Sequence, residues 1–342
     1  MEILGLTIGS GVAQGLMWAI LTIGVFISFR ILDFADLTVE GSFPLGAAVA
    51  AVSINAGVPW YLAIIFAFLA GMLAGLCTGI FNTLFKIPGI LAGILTMIAL
   101  YSINLRITQD KITVPFLNDT IKKMLVQKAR DFNLSVTINS LEIFTGVIFC
   151  VLIVILLYVF FGTELGCAIR ATGSNDKMAR ALGVNTNKMT IVGLMISNGL
   201  ISLAGSLIAQ FDLGSAILTM GQGAIVIGLA SVIIGEVIFC RKDHSFGYKL
   251  FAVIMGAVIY RTIIALILKY NSISAIISSF DETFTTNSAI LNWQIKSTDL
   301  KLITAIVVSI ALALPVLKGR VAARKLRKQN DKAFEMGGED NA

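Results

Sequence analysis

A single histidine, four cysteines and five prolines are all that 342 residues hold of three side chains that often carry metal chemistry or punctuate a chain. The cysteines, Cys77, Cys150, Cys167 and Cys240, are scattered through apolar runs or sit at their ends. They have no metal-ligand spacing and read as small hydrophobes. His244 lies in the charged turn Arg241-Lys242-Asp243-His244, where water satisfies it. No metal site follows. No Ser/His/Asp cluster supports hydrolysis, and no Gly-x-x-x-x-Gly-Lys-Ser/Thr loop cradles nucleotide phosphates, so the chain is not a P-loop ATPase by itself. Charge is scarce as well. Only 13% of residues are charged, and a mean hydropathy of +0.89 excludes an ordinary water-soluble domain.

What the chain has instead is apolar runs of bilayer length, a crossing needing about 20 residues. They fall at 6–28, 59–85, 89–105, 143–161, 189–211, 220–240, 246–268 and 302–317, with a shorter run at 45–58. The expected fold is an all-α polytopic integral membrane protein of about nine transmembrane helices (eight to ten). Residues 1–317 would form one transmembrane domain and 318–342 a basic tail. Between Phe29 and Pro44 apolar and acidic residues alternate without helical period, and Gly41 and Pro44 mark a break. That pattern predicts either a broken or re-entrant segment near 33–58, lining a cavity, or an ordinary turn.

The tail carries Lys318, Arg320, Arg324, Lys325, Arg327, Lys328 and Lys332, a strong inside signal. Counting back places the 162–188 loop, the 241–244 turn and Lys86 inside, and the amino terminus outside. Residues 3–29 are charge-free, too long for a signal core and without a basic flank, so no cleavable signal peptide is expected. The loops 106–141 and 271–298 then lie outside, against the cue of Lys122, Lys123, Lys128 and Arg130. Within the first loop Ile121, Met124, Leu125, Ala129 and Phe132 recur at helical spacing, after Asn118 and Asp119 as cap candidates. This reads as a surface helix.

Arg261 stands out among the polar residues in the spans. It lies about 12 residues beyond Lys249, roughly 18 Å at helical rise, too deep to snorkel easily. It reads as a contact to a substrate carboxylate, as a partner of Asp33, Asp36 or Glu40, or as half of a structural ion pair. Asn82, Asn104, Asn198 and Gln222 are polar groups on apolar spans, suited to interhelical bonding or to a pathway. Gly71, Gly75 and Gly79 have close-packing spacing.

Residues 164–185 form a polar stretch between two long apolar runs, 143–161 and 189–211. Ser174, Asn175 and Asp176 offer an N-cap, Lys177 to Leu182 are helix-permissive, and Gly183 suits a left-handed C-terminal position. A helix of about two turns is too short to stand alone and needs a partner.

The run Asn175-Asp176-Lys177-Met178-Ala179-Arg180-Ala181-Leu182-Gly183-Val184-Asn185, continuing into Ser197-Asn198-Gly199-Leu200-Ile201-Ser202-Leu203-Ala204-Gly205, resembles ABC-importer permeases of the branched-chain amino acid and ribose type. Two further segments agree: Asp33-Phe34-Ala35-Asp36-Leu37-Thr38-Val39-Glu40-Gly41-Ser42-Phe43, and Gly221-Gln222-Gly223-Ala224-Ile225-Val226-Ile227-Gly228-Leu229-Ala230. The form Asp-Leu-Thr-Val-Glu-Gly-Ser is most similar to the subgroup associated with aromatic amino acids, tryptophan in particular.

The resemblance implies a permease dimer in a bacterial cytoplasmic membrane, served by an extracytoplasmic substrate-binding lipoprotein. Two cytosolic ATPase subunits would bind ATP and magnesium; this chain would bind no cofactor, catalyse nothing and meet no nucleic acid. Asn175, Asp176, Lys177, Met178, Ala179, Arg180, Ala181, Leu182 and Gly183 would form the coupling helix, with Met178, Ala179 and Leu182 as its apolar edge and Lys177 and Arg180 for registration. Asp33, Asp36, Glu40, Asn82, Asn104, Gln222 and Arg261 are the candidate substrate pathway. An ion-coupled secondary transporter using Asp33, Asp36, Glu40 or Arg261 is the competing reading, and a membrane scaffold a third.

Overall fold

The computed structural model describes residues 2–118, 120–131, 138–240 and 245–269, with isolated positions 305 and 309. The expected span at 302–317 (apart from positions 305 and 309), the loop at 271–298, the 241–244 turn and the basic tail lie outside the described residues. The chain divides into a unit from Met1 to Ile295 and a second from Lys296 to Ala342, and every element named here belongs to the first.

Among the described residues, seven stretches are long and apolar enough to cross a membrane: Thr7–Ile31, Trp60–Thr83, Gly89–Ile107, Asn139–Gly162, Thr186–Leu213, Leu218–Phe239 and Phe246–Ile267. They sit within a few residues of the runs read from the sequence. The helices are α1 (Glu2–Phe26), α2 (Val39–Asn55), α3 (Trp60–Thr83), α4 (Gly89–Ile107), α5 (Ile121–Asp131), α6 (Ile138–Gly162), α7 (Glu164–Ser174), α8 (Asp176–Ala181), α9 (Thr186–Ile208), α10 (Ala224–Phe239) and α11 (Phe246–Lys269). Helix α1 ends in a π-turn, Ile27–Ile31, and α9 in another, Ala209–Leu213. The chain is an all-α multi-pass membrane protein.

Helix α2 has 17 residues, about 25 Å at helical rise. Gly41 and Pro44 do not break it. Pro44 lies inside α2 and deprives the Glu40 carbonyl of its helical donor. Gly221 packs so closely there that a Cβ on it would meet the Glu40 carbonyl and the Pro44 ring. The irregular backbone falls upstream, at residues 32–38.

Two ends of the bundle differ. One carries α7, α8 and the 84–88 turn. The other carries a small antiparallel pair, β1 (Thr113–Pro115) with β2 (Ser215–Ile217), in which Val114 faces Ala216. Helix α5 lies at this second end, tied down by Lys122, which pairs with Glu142 at 2.8 Å and donates to the Phe211 carbonyl at 2.8 Å. Asn118 is not its cap. The Asn118 amide donates to the Ile54 carbonyl at 2.8 Å, and the Thr120 hydroxyl accepts from the Lys123 amide at 3.4 Å instead.

The core is organised around α9, which is buried along most of its length against α1, α2 and α3. Small residues allow this. A Cβ at Gly46 of α2 would overlap the Ser202 carbonyl, and one at Gly71 or Gly75 of α3 would overlap the carbonyls of Asn198 or Leu194. With no hydrophobic drive between helices in lipid, such backbone approach supplies the packing. Gly46→Ala should therefore cost stability by about 1–3 kcal/mol or more, read as a lower melting temperature in detergent. Gly162→Ala, where an added methyl meets nothing within 4 Å, should leave it unchanged.

Candidate functional site

Residues 32–38 enter the protein beside α4. Gly89 backs onto the Phe34 ring, and Gly93 onto the Leu37 amide. Irregular backbone in an apolar setting must find its partners within the protein. Asp36, fully buried, supplies them. One carboxylate oxygen accepts from the Thr38 amide at 2.9 Å, and the other from the Asn198 side-chain amide at 2.6 Å. The Asn198 oxygen accepts in turn from the Ser42 hydroxyl at 2.8 Å. A second chain of hydroxyls links α2 to α3 and α4, with Thr38 to Thr78 at 2.7 Å and Thr78 to Thr96 at 3.0 Å. Asp36 is thus engaged on both oxygens.

Other pathway candidates divide into two groups. The Glu40 carboxylate accepts from the Gly223 amide at 3.0 Å, at the N-terminus of α10. The Asn104 amide donates to the Gly41 carbonyl at 3.2 Å, while its oxygen is buried without a partner. Gln222 adjoins Gly223 and is exposed. Asp36, Glu40, Asn104 and Gln222 therefore cluster around the first turns of α2. Asp33 and Asn82 do not join them. Asp33 is exposed with φ of 52°, and the Asn82 amide closes the turn after α3 by donating to the Ile87 carbonyl at 2.9 Å.

Arg261 makes no ion pair among the described residues, and neither Asp33, Asp36 nor Glu40 reaches it. Among the described residues, the contacts expected to Asp33, Asp36 and Glu40 are not made. Its guanidinium lies over the Trp18 ring of α1, 3.7 Å from the centroid. A cation on an indole face is favourable by about 2 kcal/mol when desolvated. Its buried Nε has no hydrogen-bond partner, nor do the Trp18 indole N–H and the neighbouring Tyr260 hydroxyl. Trp18 also packs on Phe43 of α2, centroids 5.4 Å apart. Asp212, an acid electrostatically linked to Arg261, accepts from Gln14 at 2.9 Å. The sequence reading missed Trp18 and Tyr260. A residue next to an intramembrane arginine was the only signal, and it pointed to Tyr260 alone.

At the other end, the short helix foreseen after Ser174 is present as α8. The Asn175 side chain caps it, accepting from the Met178 amide at 3.0 Å. Gly183 stops it at φ of 84°, a conformation that favours glycine. Helix α7 was not foreseen. The Thr163 hydroxyl caps it by accepting from the Gly166 amide at 3.3 Å, and Gly173 seats it against the Ile31 carbonyl.

Two roles on α8 differ from expectation. Ala179 is only 2% exposed and faces inward. Arg180 is spent within the chain, pairing with Asp176 at 3.1 Å and donating to the Thr186 hydroxyl at 2.7 Å, which pins α8 to the start of α9. The outward apolar edge is Met178 and Leu182, 61% and 71% exposed, with Lys177 also exposed.

Residues 7–291 match the family model described as branched-chain amino acid transport system / permease component. The tyrosine transport system permease protein of Clostridioides difficile (strain R20291) is 37% identical over 304 residues, 89% of this chain and 90% of its own. An uncharacterized protein of Rickettsia prowazekii (strain Madrid E) is 33% identical over 72% of this chain and 84% of its own length. The fructose import permease protein FruG of Bifidobacterium longum (strain NCC 2705) is 31% identical over 64% of this chain and 63% of its own. With the family model covering most of the sequence, this chain belongs to the branched-chain amino acid transport system permease family of ABC transporters.

Proposed function

We propose that this chain is the membrane-spanning subunit of an importer for an aromatic amino acid, with tyrosine and tryptophan the first cargoes to test. The observation that carries the transport mechanism is α8, a capped helix presenting Met178 and Leu182 to solvent while Ala179 and Arg180 hold it to the bundle. An exposed apolar edge on a short, rigidly seated helix suits docking into a groove on a partner. The family implies an ATPase partner, and in this reading that subunit holds ATP and magnesium and performs all hydrolysis. The amino terminus lies outside the cell membrane, the α7–α8 end faces the cytosol, and the β1–β2 end receives cargo from a binding lipoprotein. The importer functions with a second copy of the permease.

The cargo assignment draws support from the tyrosine permease relative, which aligns over nearly the full length of both chains. Arg261 on Trp18 adds a chemical reason. A guanidinium with an unpartnered buried Nε, beside an aromatic surface, suits a substrate carrying a carboxylate and a ring. The ion-coupled alternative loses its strongest residues, because Asp36 and Glu40 are already engaged by hydrogen bonds.

Two outcomes are expected in proteoliposomes containing the ATPase and binding-protein partners. Met178→Asp or Leu182→Asp should abolish ATP-driven tyrosine uptake while leaving the purified permease monodisperse and its melting temperature unchanged. Retained uptake would reject α8 as the coupling element. Arg261→Ala should lower tyrosine uptake about 10- to 100-fold, the range of a hydrogen bond to a charged group, with folded protein still recovered. Loss of folded protein would instead assign Arg261 to packing.

A further inference from the structure

A cavity of about 580 Å³ opens at the α7–α8 end, where the final turn of α1 meets α7, α10 and α11. Three cations line it, Arg30, Arg170 and Lys249, against one carboxylate, Glu236. Phe26 and Phe246 supply apolar wall. The C-terminal ends of α1, α7 and α10 border the cavity against the N-terminus of α11, so its positive charge comes from side chains and not from helix dipoles.

Arg30 is already neutralised, because Glu236 accepts from its guanidinium through both oxygens and ties α1 to α10. Arg170 is held in place without being neutralised. It donates to the Phe161 carbonyl at 2.9 Å and lies 5.7 Å from the Phe246 ring centroid. That leaves part of its five-donor fork unused. Lys249 is exposed and makes no ion pair among the described residues. Among the described lining residues, subtracting one carboxylate from three cations leaves an excess of two positive charges.

We propose that this cavity binds an anionic phosphate group, supplied by the head group of an anionic phospholipid or by soluble phosphate. A planar guanidinium fork beside a mobile ammonium is the pairing that phosphate oxygens recognise. Basic pockets between membrane helices take lipid head groups for the same reason. Occupancy would also have a mechanical consequence. Arg170 stands on α7, which leads through Asn175 directly into α8, whereas Lys249 stands on α11. An anion between them clamps the approach to α8 against the bundle.

The test uses the full chain, purified and delipidated in neutral detergent, with melting temperature followed during titration. The probes are short-chain phosphatidylglycerol, short-chain phosphatidylcholine and inorganic phosphate. Phosphatidylglycerol is expected to stabilise the wild type saturably, and phosphatidylcholine is not. Lys249→Gln should weaken the apparent affinity about 5-fold, the effect of one basic residue at an anionic surface. Lys188→Gln, an exposed lysine at the same end outside the cavity, should not. Arg170→Gln should weaken it further; because Arg170 also supports Phe161, Lys249→Gln is the deciding variant. Stabilisation by phosphatidylglycerol alone assigns a lipid, and stabilisation by inorganic phosphate as well assigns a soluble anion. An identical response from wild type and Lys249→Gln overturns the proposal, as does a wild type indifferent to both anions.

Discussion

A chain that crosses a bilayer can interrupt a helix only where the protein itself satisfies the released backbone groups. Residues 32–38 meet that condition through Asp36, which binds the Thr38 amide on one side and Asn198 on the other. The same bonds fix the start of α2 against the centre of α9. From there Ser42, Thr78 and Thr96 extend the polar contacts to α3 and α4. Removing one partner would strand buried polar atoms at about 1–3 kcal/mol each. Much of the bundle's register hangs on that carboxylate.

Around this pin the packing depends on bare backbone. Gly46, Gly71 and Gly75 let α2 and α3 lie against carbonyls of α9, where even a methyl group would collide. The result is a stiff centre with few degrees of freedom. The Asp36 segment continues from Ile31, against whose carbonyl Gly173 of α7 is seated. Arg180 then ties α8 to the first turn of α9. A force applied at α8 therefore reaches the central helix through two short, well-connected routes. Such an arrangement suits a subunit that takes its energy from a partner.

The polar residues of the spans sort by whether their valences are used. Asp36, Glu40 and Asn82 spend theirs on backbone turns and helix ends. Arg261, Trp18 and Tyr260 leave buried donors without partners near one helix interface. Unpaired buried donors are costly, and their convergence marks the place where the fold has kept polar capacity unspent.

Much of this was legible from residue order. Helical spans announce themselves because lipid demands about 20 apolar residues in a row, and seven of the runs read from the sequence coincide with seven long apolar helices among the described residues. The α8 helix was readable because its cap and stop, Asn175 and Gly183, act on their own neighbours. What the sequence could not reveal were relations across the bundle. Pro44 looked like a break, yet α2 runs through it because Gly221 and neighbouring helices pack around the disrupted turn. Ala179 was expected on the outward edge but is buried, and Arg180 looked available until Thr186 claimed it. Arg261 could be picked out as a buried charge, but only the approach of α1 to α11 set Trp18 beneath it. Local chemistry determined the spans and the capped helix α8; the tertiary structure decided which polar groups were spent and which were left over, because that depends on neighbours far away in the chain.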